Sequence, residues 1–339
     1  MSSTTQPTDW ADLYASLIEK VRENSTAGLV VLAKQYTQQA HMDLYIGNGE
    51  KFHWAERRAY VVTHAEYSTG TVAATQGSAT VTGTSTVWTT NNDQGQPNAR
   101  AGGKIVINGT QNVYEVTAVG GAGSMTISPV YSETTDTGMT YRYFEDEYAL
   151  ESDFWKPIDA RRFDDEGHIR LIGRQEFRRM FPSNRQPGTS IMAATLIDRA
   201  PSGNTTPIRK IVVAPPPTTT KIIPYSYVTS NIVTSSVGTA QTAFSATTDE
   251  PIIPLRYRHV IVLKAMESWY RDRKDDQRSM QAGAECRELL SRMVDDQDIG
   301  ADRMKIKFAR GRYRERARRP MGRRSGRYDL HNRFDRMDD

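Results

Sequence analysis

Two clusters of apolar residues at helical spacing, separated by eight residues with no apolar side chain, set the tightest constraint on this fold. Within residues 254–298, Val262, Met266 and Trp269 recur at intervals of four and three, with Leu263 and Tyr270 beside them. That is one apolar face of a helix. Ala282, Cys286, Leu289 and Met293 repeat the pattern beyond the charged stretch 271–278. One unbroken helix would run about 66 Å at roughly 1.5 Å per residue, long for a compact domain. The spacing therefore predicts two antiparallel helices with a turn near Asp275 and Asp276, the second aspartate capping the second helix. This helical hairpin is the expected core.

At 339 residues the chain has room for two or three domains and a sizeable core. Its one cysteine, Cys286, excludes an internal disulfide framework and falls on the apolar helical face, where packing accounts for it. The first residues lack a basic stretch followed by an apolar one, so no secretory signal is expected. Apolar runs such as 29–33 and 260–263 are too short to span a bilayer. These features predict a soluble protein of a reducing compartment, with no membrane contact. The formal net charge is +4, yet residues 309–339 alone carry eleven Arg and five acidic residues, a balance of +6. The basic excess is confined to the last tenth of the chain, which reads as a separate arm.

Residues 1–8 are polar. Thr8 or Asp9 can cap a first helix carrying Trp10, Leu13, Tyr14, Leu17, Ile18 and Val21. Asn24, Ser25 and Thr26 break it and cap a second helix, with Leu29, Val30, Leu32, Ala33 and Tyr36, that fades near Met42. The period shifts to two over residues 57–67, predicting a strand that ends the N-terminal part of the core, 1–67. Residues 68–142 are rich in Thr, Ser and Gly, with short alternating runs at 80–87, 104–107, 113–119 and 125–128 separated by Gly and Asn turns. Such spacing predicts a small all-β sandwich or barrel. It reads as an insert, with the strand before it pairing the alternating run 139–144 after it. The core then resumes over 143–308. Residues 148–183 look irregular apart from a possible strand at 168–173. Runs 207–214 and 221–229 around Pro215, Pro216 and Pro217 predict a β-hairpin over 208–229, since three prolines suit a turn and not a central strand. Residues 230–248 read as a long loop or arm, and 304–308 as a short strand. The expected class is α+β: a helical hairpin core at 254–298 with a β-hairpin, an inserted all-β domain, and an extended basic arm at 309–339.

Catalytic and cofactor patterns do not assemble. Gly102, Gly103 and Lys104 suggest a phosphate loop, but Asn98 and Ile105 break the pattern. Residues 295–300 have the spacing of a calcium loop, but Gln297, Ile299 and Ile306 stand where oxygen ligands are needed. The histidines at 41, 53, 64, 168, 259 and 331 show no metal-ligand spacing, and there is no Gly-x-Ser-x-Gly elbow. Acidic groups at 164–166, 275–276 and 295–298 read as solvated turns and helix ends and not as a magnesium site. Neither an enzyme, a cofactor nor a metal is expected.

Several segments are similar to the head-to-tail adaptor (connector) proteins of tailed bacteriophages. They are Glu151-Ser152-Asp153-Phe154-Trp155, the run ending Ile223-Pro224-Tyr225-Ser226-Tyr227, and Ile253-Pro254-Leu255-Arg256-Tyr257 leading into the Trp269 helix. Val81-Thr82-Gly83-Thr84, residues 103–107, 114–119 and 125–131 resemble β-modules that recur in phage virion proteins. The resemblance spans about two thirds of the chain. It implies a homo-oligomeric ring, usually of twelve copies, docked under the portal protein, extending the channel for double-stranded DNA and offering a platform to a tail nozzle or fibre. It implies further that Val262, Met266, Trp269, Tyr270, Leu289 and Met293 supply the ring core and subunit contacts, and that residues 309–339 reach the portal. The β insert departs from small adaptors.

Two sources of cover are open for Trp269, Tyr270 and Met266: neighbouring subunits, or the N-terminal helices and β-hairpin of the same chain. The arm also reads two ways. Arg310, Arg312, Arg314, Arg316, Arg318, Arg319, Arg323 and Arg324, with Tyr313 among them, suit phosphate neutralisation. They equally suit an acidic groove of a protein partner, which the interspersed Glu315, Asp329, Asp335, Asp338 and Asp339 favour. The alternatives to an adaptor are a nucleic-acid-binding protein acting through this arm, and a tail-fibre or decoration protein binding through the β insert.

Overall fold

The computed structural model describes residues 6–22, 26–48, 52–160, 169–182, 184–188, 190–199 and 208–303. Helix α1 (Trp10–Val21) starts at Asp9, whose side chain accepts from Asp12 N at 2.9 Å, and stops at Arg22 in the left-handed region. Both ends are therefore capped by local chemistry. Thr26 Oγ1 accepts from Leu29 N at the start of α2 (Ala27–Asn48). That helix does not fade near Met42. Leu44 and Tyr45 are buried one turn further on, and their burial carries the helix to Asn48. After a 3-10 turn, β1 (Glu56–Val62) begins.

The Thr/Gly-rich region forms seven strands. They are β2 (Thr71–Ala74), β3 (Thr80–Thr84), β4 (Lys104–Ile107), β5 (Tyr114–Gly121), β6 (Ser124–Ser128), β7 (Asp136–Met139) and β8 (Tyr141–Phe144). They pair antiparallel in the order β7-β2-β3-β6-β5-β4-β8. The two edge strands, β7 and β8, are consecutive in sequence with Thr140 alone between them. One residue spans at most about 7 Å, so the sheet must curl until its edges meet, as in a barrel. Alternate residues point inward and build a closed core from Val81, Trp88, Ile105, Tyr114, Met125, Tyr131, Tyr141 and Tyr143. Gly103 admits Tyr143 to this core, for a Cβ there would meet the tyrosine hydroxyl at 2.1 Å.

The flanking strands do not pair as expected. β1 does not pair with β8. The segments before and after the curled sheet meet in one bridge, Tyr67 with Tyr143, and β8 belongs to the sheet itself. β1 pairs instead with a strand 160 or more residues away.

Beyond β8 come β9 (Glu147–Ala149), β10 (Phe154–Ala160), β11 (Arg170–Leu171), helix α3 (Arg174–Met180), β12 (Ala193–Arg199), β13 (Ile208–Ala214) and β14 (Ile222–Thr229). The hairpin expected over 208–229 is absent. β13 pairs with β12 and β9 in the order β11-β12-β13-β9, whereas β14 sits between β1 and β10 in another sheet. With both sides of each strand occupied, no side is left for the two to share. The prolines turn the chain from one sheet to the other. They are held by Gly188, whose N–H donates to Pro216 O at 2.8 Å and whose missing Cβ makes room for the Pro215 ring. The two sheets pack through Val61, Tyr148, Ile211, Val213, Ile223, Tyr225 and Tyr227.

Residues 230–248 are not a free arm. β15 (Val233–Thr234), β16 (Ala240–Gln241) and β17 (Glu250–Pro251) make a small sheet, in the order β16-β15-β17. Phe244 stacks on Trp10 at 5.2 Å, and Trp10 N donates to Asp249 O at 2.9 Å. One buried aromatic and a buried aspartate anchor a segment whose Ser/Thr content gives no other sign of order.

α4 (His259–Asp272) buries Val260, Ile261, Val262, Leu263, Ala265 and Trp269, with α1 and α2 packed against it. Lys274, in the left-handed region, turns the chain into α5 (Asp276–Arg303). The cap of α5 is Asp275 and not Asp276: Asp275 Oδ1 accepts from Arg278 N at 3.2 Å. Ser279 Oγ donates to Glu267 O at 2.9 Å, and Cys286 Sγ lies 3.9 Å from Val260 O. The start of α5, over residues 279–286, thus lies against α4. The result is a mixed α and β protein with five helices among the described residues and several sheets, antiparallel except at β11–β12. By its contacts the chain divides into Met1–Val294 and Asp295–Asp339. The strand expected at 304–308 and the arm 309–339 lie outside the described residues.

Candidate interaction surfaces

Of the residues expected at ring contacts, Val262, Trp269 and Met293 are buried in the chain's own core, while Met266, Tyr270 and Leu289 are partly buried. The cover over Trp269 comes from within the chain. Tyr36 of α2 meets its ring edge-on at 5.1 Å, and the Arg273 guanidinium lies over it at 4.1 Å. Tyr36 OH donates to Asp272 Oδ2 at 2.5 Å, and that bond, with burial second, pushes the phenol up to about 12. Cys286 is buried beneath α4, and burial pushes its thiol up to about 11. Met266 and Tyr270 line a groove of about 350 Å³ with Lys20, Arg22 and Arg278. The arm residues Arg310 to Arg324, Tyr313 included, lie outside the described residues.

A surface that the helical periodicity does not reveal lies on the other side of α2. Gly28, Val31, Leu32, Gln35, Gln39, Met42 and Ile46 recur at intervals of three and four and are all exposed. Val31 is 55% exposed and Ile46 61%. No charged group stands on this stripe. Apart from His41, the only titratable or charged side chains of the polar kind in α2 are Lys34 and Asp43 at its margins, and its tyrosines turn inward. The signal in the sequence was a 22-residue helix with two formal charges in a chain that is 25% charged. A charge-depleted apolar surface suits the centre of an interface.

A second apolar surface lies on the β1–β14–β10 sheet. The pairs Tyr60–Pro224 and Val62–Ile222 present their side chains to one face, because directly opposed residues of antiparallel strands point the same way. Tyr60 is 67% exposed, Ile158 49% and Ile222 42%. A groove of about 300 Å³ runs here, lined by Arg58, Ala59, Ile158, Pro224 and Ser226 among others.

The link from β8 to β9 and the first residue of β9 carry three consecutive carboxylates, each paired with cations. Arg100 grips Glu145 through two bonds of 2.8 and 2.7 Å, and Tyr143 OH donates to the same carboxylate at 2.6 Å. Lys104 Nζ donates to Asp146 Oδ2 at 2.7 Å, and Asn184 Nδ2 adds a bond at 2.9 Å. Glu147 accepts from Arg199 at 2.8 Å, and Arg199 also binds Glu115 of β5. Burial raises the Asp146 carboxyl, with Lys104 acting against it. Burial acts the same way on Glu147, but bonds and charge from Arg199, Lys104 and Lys210 outweigh it and hold that group low. The cations come from both sides, Arg100 before β4 and Lys104 in it, Arg199 and Lys210 from β12 and β13. The cluster clamps the curled sheet to the four-stranded sheet. Its signal in the sequence was Glu145-Asp146-Glu147 set among Tyr143, Phe144 and Tyr148, an acidic run inside an aromatic one.

Among the described residues no group of three or more His, Cys, Asp or Glu side chains converges to hold a metal ion, and no helix is long and apolar enough to cross a membrane. Comparison with known proteins gives no match, either to a family model or to a curated sequence.

Proposed function

We propose that this is a structural protein of a tailed-phage virion, an adaptor whose copies form a ring, twelvefold as in the proteins it resembles, between the portal vertex and the tail. The observation that carries this reading is the uncharged, exposed outer stripe of α2, on a chain whose own helices already cover Trp269. A helix with apolar side chains on both sides needs a second partner, and repeated copies supply one. The helical body then forms the wall of the DNA channel. The curled sheet is an inserted module turned toward capsid, tail nozzle or fibre and held by the 145–147 clamp. The arm, through Arg310, Arg312, Arg314, Arg316, Arg318, Arg319, Arg323 and Arg324, docks on carboxylates of the portal.

Mass photometry and class averaging of the full chain, and of a chain ending at residue 308, test the proposal. Twelvefold rings, or full-length chains that join a portal while the shortened ones do not, support it. A monodisperse trimer argues for a fibre or decoration protein instead. The Arg content of 309–339 favours one other reading, nucleic-acid binding. A monomer that ignores portal and binds duplex DNA with a salt slope near −0.9 per phosphate neutralised would establish that reading and overturn the adaptor.

A further inference from the structure

We infer that the outer stripe of α2 in one copy lies across the exposed face of the β1–β14–β10 sheet in the next. The inference rests on the ring reading and names its contact. A closed ring of one chain type needs two different, complementary patches on every copy, since a patch that pairs with itself stops at a dimer.

The two apolar surfaces described above meet that requirement. In shape, the helix offers a ridge and the sheet a groove of about 300 Å³. In length, Val31 to Ile46 covers about 22 Å at 1.5 Å per residue, and β1 runs about 20 Å at 3.3 Å per residue. In charge, the stripe is neutral with Lys34 and Asp43 at its margins, and the sheet face carries Glu56 and Arg58, one charge of each sign on either surface. Covering an apolar sheet face with a helix is the ordinary way such a face is buried. An α2–α2 contact would satisfy the stripe but leave Tyr60, Ile158 and Ile222 in water.

Cysteine pairing tests this in the full-length chain. Ile46 and Tyr60 are 61% and 67% exposed, so Ile46→Cys and Tyr60→Cys leave the core untouched, and the native Cys286 is buried. Under mild oxidation a mixture of the two single variants is expected to give a disulfide-linked dimer, each alone none, and the double variant a ladder of linked copies. Val237→Cys, also exposed at 85%, serves as the control partner. Self-linking of Ile46→Cys, or a mixture that links no better than Tyr60→Cys with Val237→Cys, overturns the contact. Parallel mass measurement separates the two failures. Rings without the mixed link refute this contact and leave the ring standing, whereas the absence of any assembly refutes both.

Discussion

His41 lies in the core of the helical body, 1% exposed, with neither ring nitrogen bonded among the described residues. Phe244 packs on one side at 5.2 Å, and Arg258, held by Ile253 O, Thr8 O and Glu250, brings positive charge nearby. Burial first, then Arg258, pushes the imidazole down to about 3. The sign follows from the unfolded chain, whose imidazole titrates near 6.5. Below that pH the unfolded state gains a proton that the folded state refuses, so stability is full above 6.5 and falls with acidification until about pH 3. Between pH 7 and pH 5 the loss is about 2 kcal/mol, taking about 1.4 kcal/mol per pH unit over the interval below 6.5. His41→Leu removes both the titration and two buried polar atoms without partners. It should stabilise the protein by about 1 kcal/mol or more at pH 7, and the gain should grow by about 2 kcal/mol at pH 5. Urea denaturation of both proteins at each pH, followed by circular dichroism, gives the difference directly. His259, also held low by burial and then Lys20, titrates in both proteins and cancels. If the two proteins lose stability in parallel between pH 7 and pH 5, His41 is not buried neutral and the argument is wrong.

Gly103→Ala drives a methyl group into the Tyr143 hydroxyl and should cost about 2–3 kcal/mol, measured as a shift in the urea midpoint. Lys104→Met leaves the Asp146 carboxylate buried without its cation and should cost about 3 kcal/mol at neutral pH. Because that carboxyl is already raised, the deficit should shrink as pH falls and it takes a proton, and adding Asp146→Asn should recover much of the loss at pH 7. Trp269→Ala opens a cavity beneath Tyr36 and Arg273 and should cost about 3–5 kcal/mol whether or not copies assemble, since its cover lies in the same chain. A stability change seen only under assembling conditions would return Trp269 to a subunit contact.

Local chemistry was legible in the sequence, and long-range pairing was not. Asp9 and Thr26 start α1 and α2 because a cap needs only one oxygen and an N–H three residues on. The strands at 104–107 and 124–128 are equally local, since alternation of side chains marks a strand whatever its partner. Partner choice is different. The hairpin expected over 208–229 follows from proximity in the chain, but the alternation in both strands is compatible with any neighbour of matching register. What decided it were Gly188 against Pro215, and β1 and β10, which reach β14 from far earlier in the chain. Strands β9, β10 and β12 were hidden for the same reason, each being defined by the strand beside it.

The candidate surfaces show a second limit. Periodicity finds the apolar face a helix turns inward, so Leu29 and Ala33 mark the buried side of α2, which Leu44 and Tyr45 extend beyond the expected end. When the opposite side is apolar as well, as at Val31, Leu32, Met42 and Ile46, the two faces blur and the helix reads merely as hydrophobic. The informative quantity there is the scarcity of charge, since solvent-facing helix positions elsewhere in the chain are charged, as Arg287, Glu288, Arg292 and Asp296 are on α5. The clamp at residues 145–147 is the converse case. Acidic runs ordinarily mark solvated turns, and only Tyr143, Phe144 and Tyr148 around this one signal that its carboxylates are buried. Buried carboxylates require cations, and Arg100, Lys104, Arg199 and Lys210 then follow from electrostatics and not from any motif. Charge density read against the apolar residues around it thus locates both surfaces, its absence on an exposed helix in one case and its presence inside an aromatic run in the other.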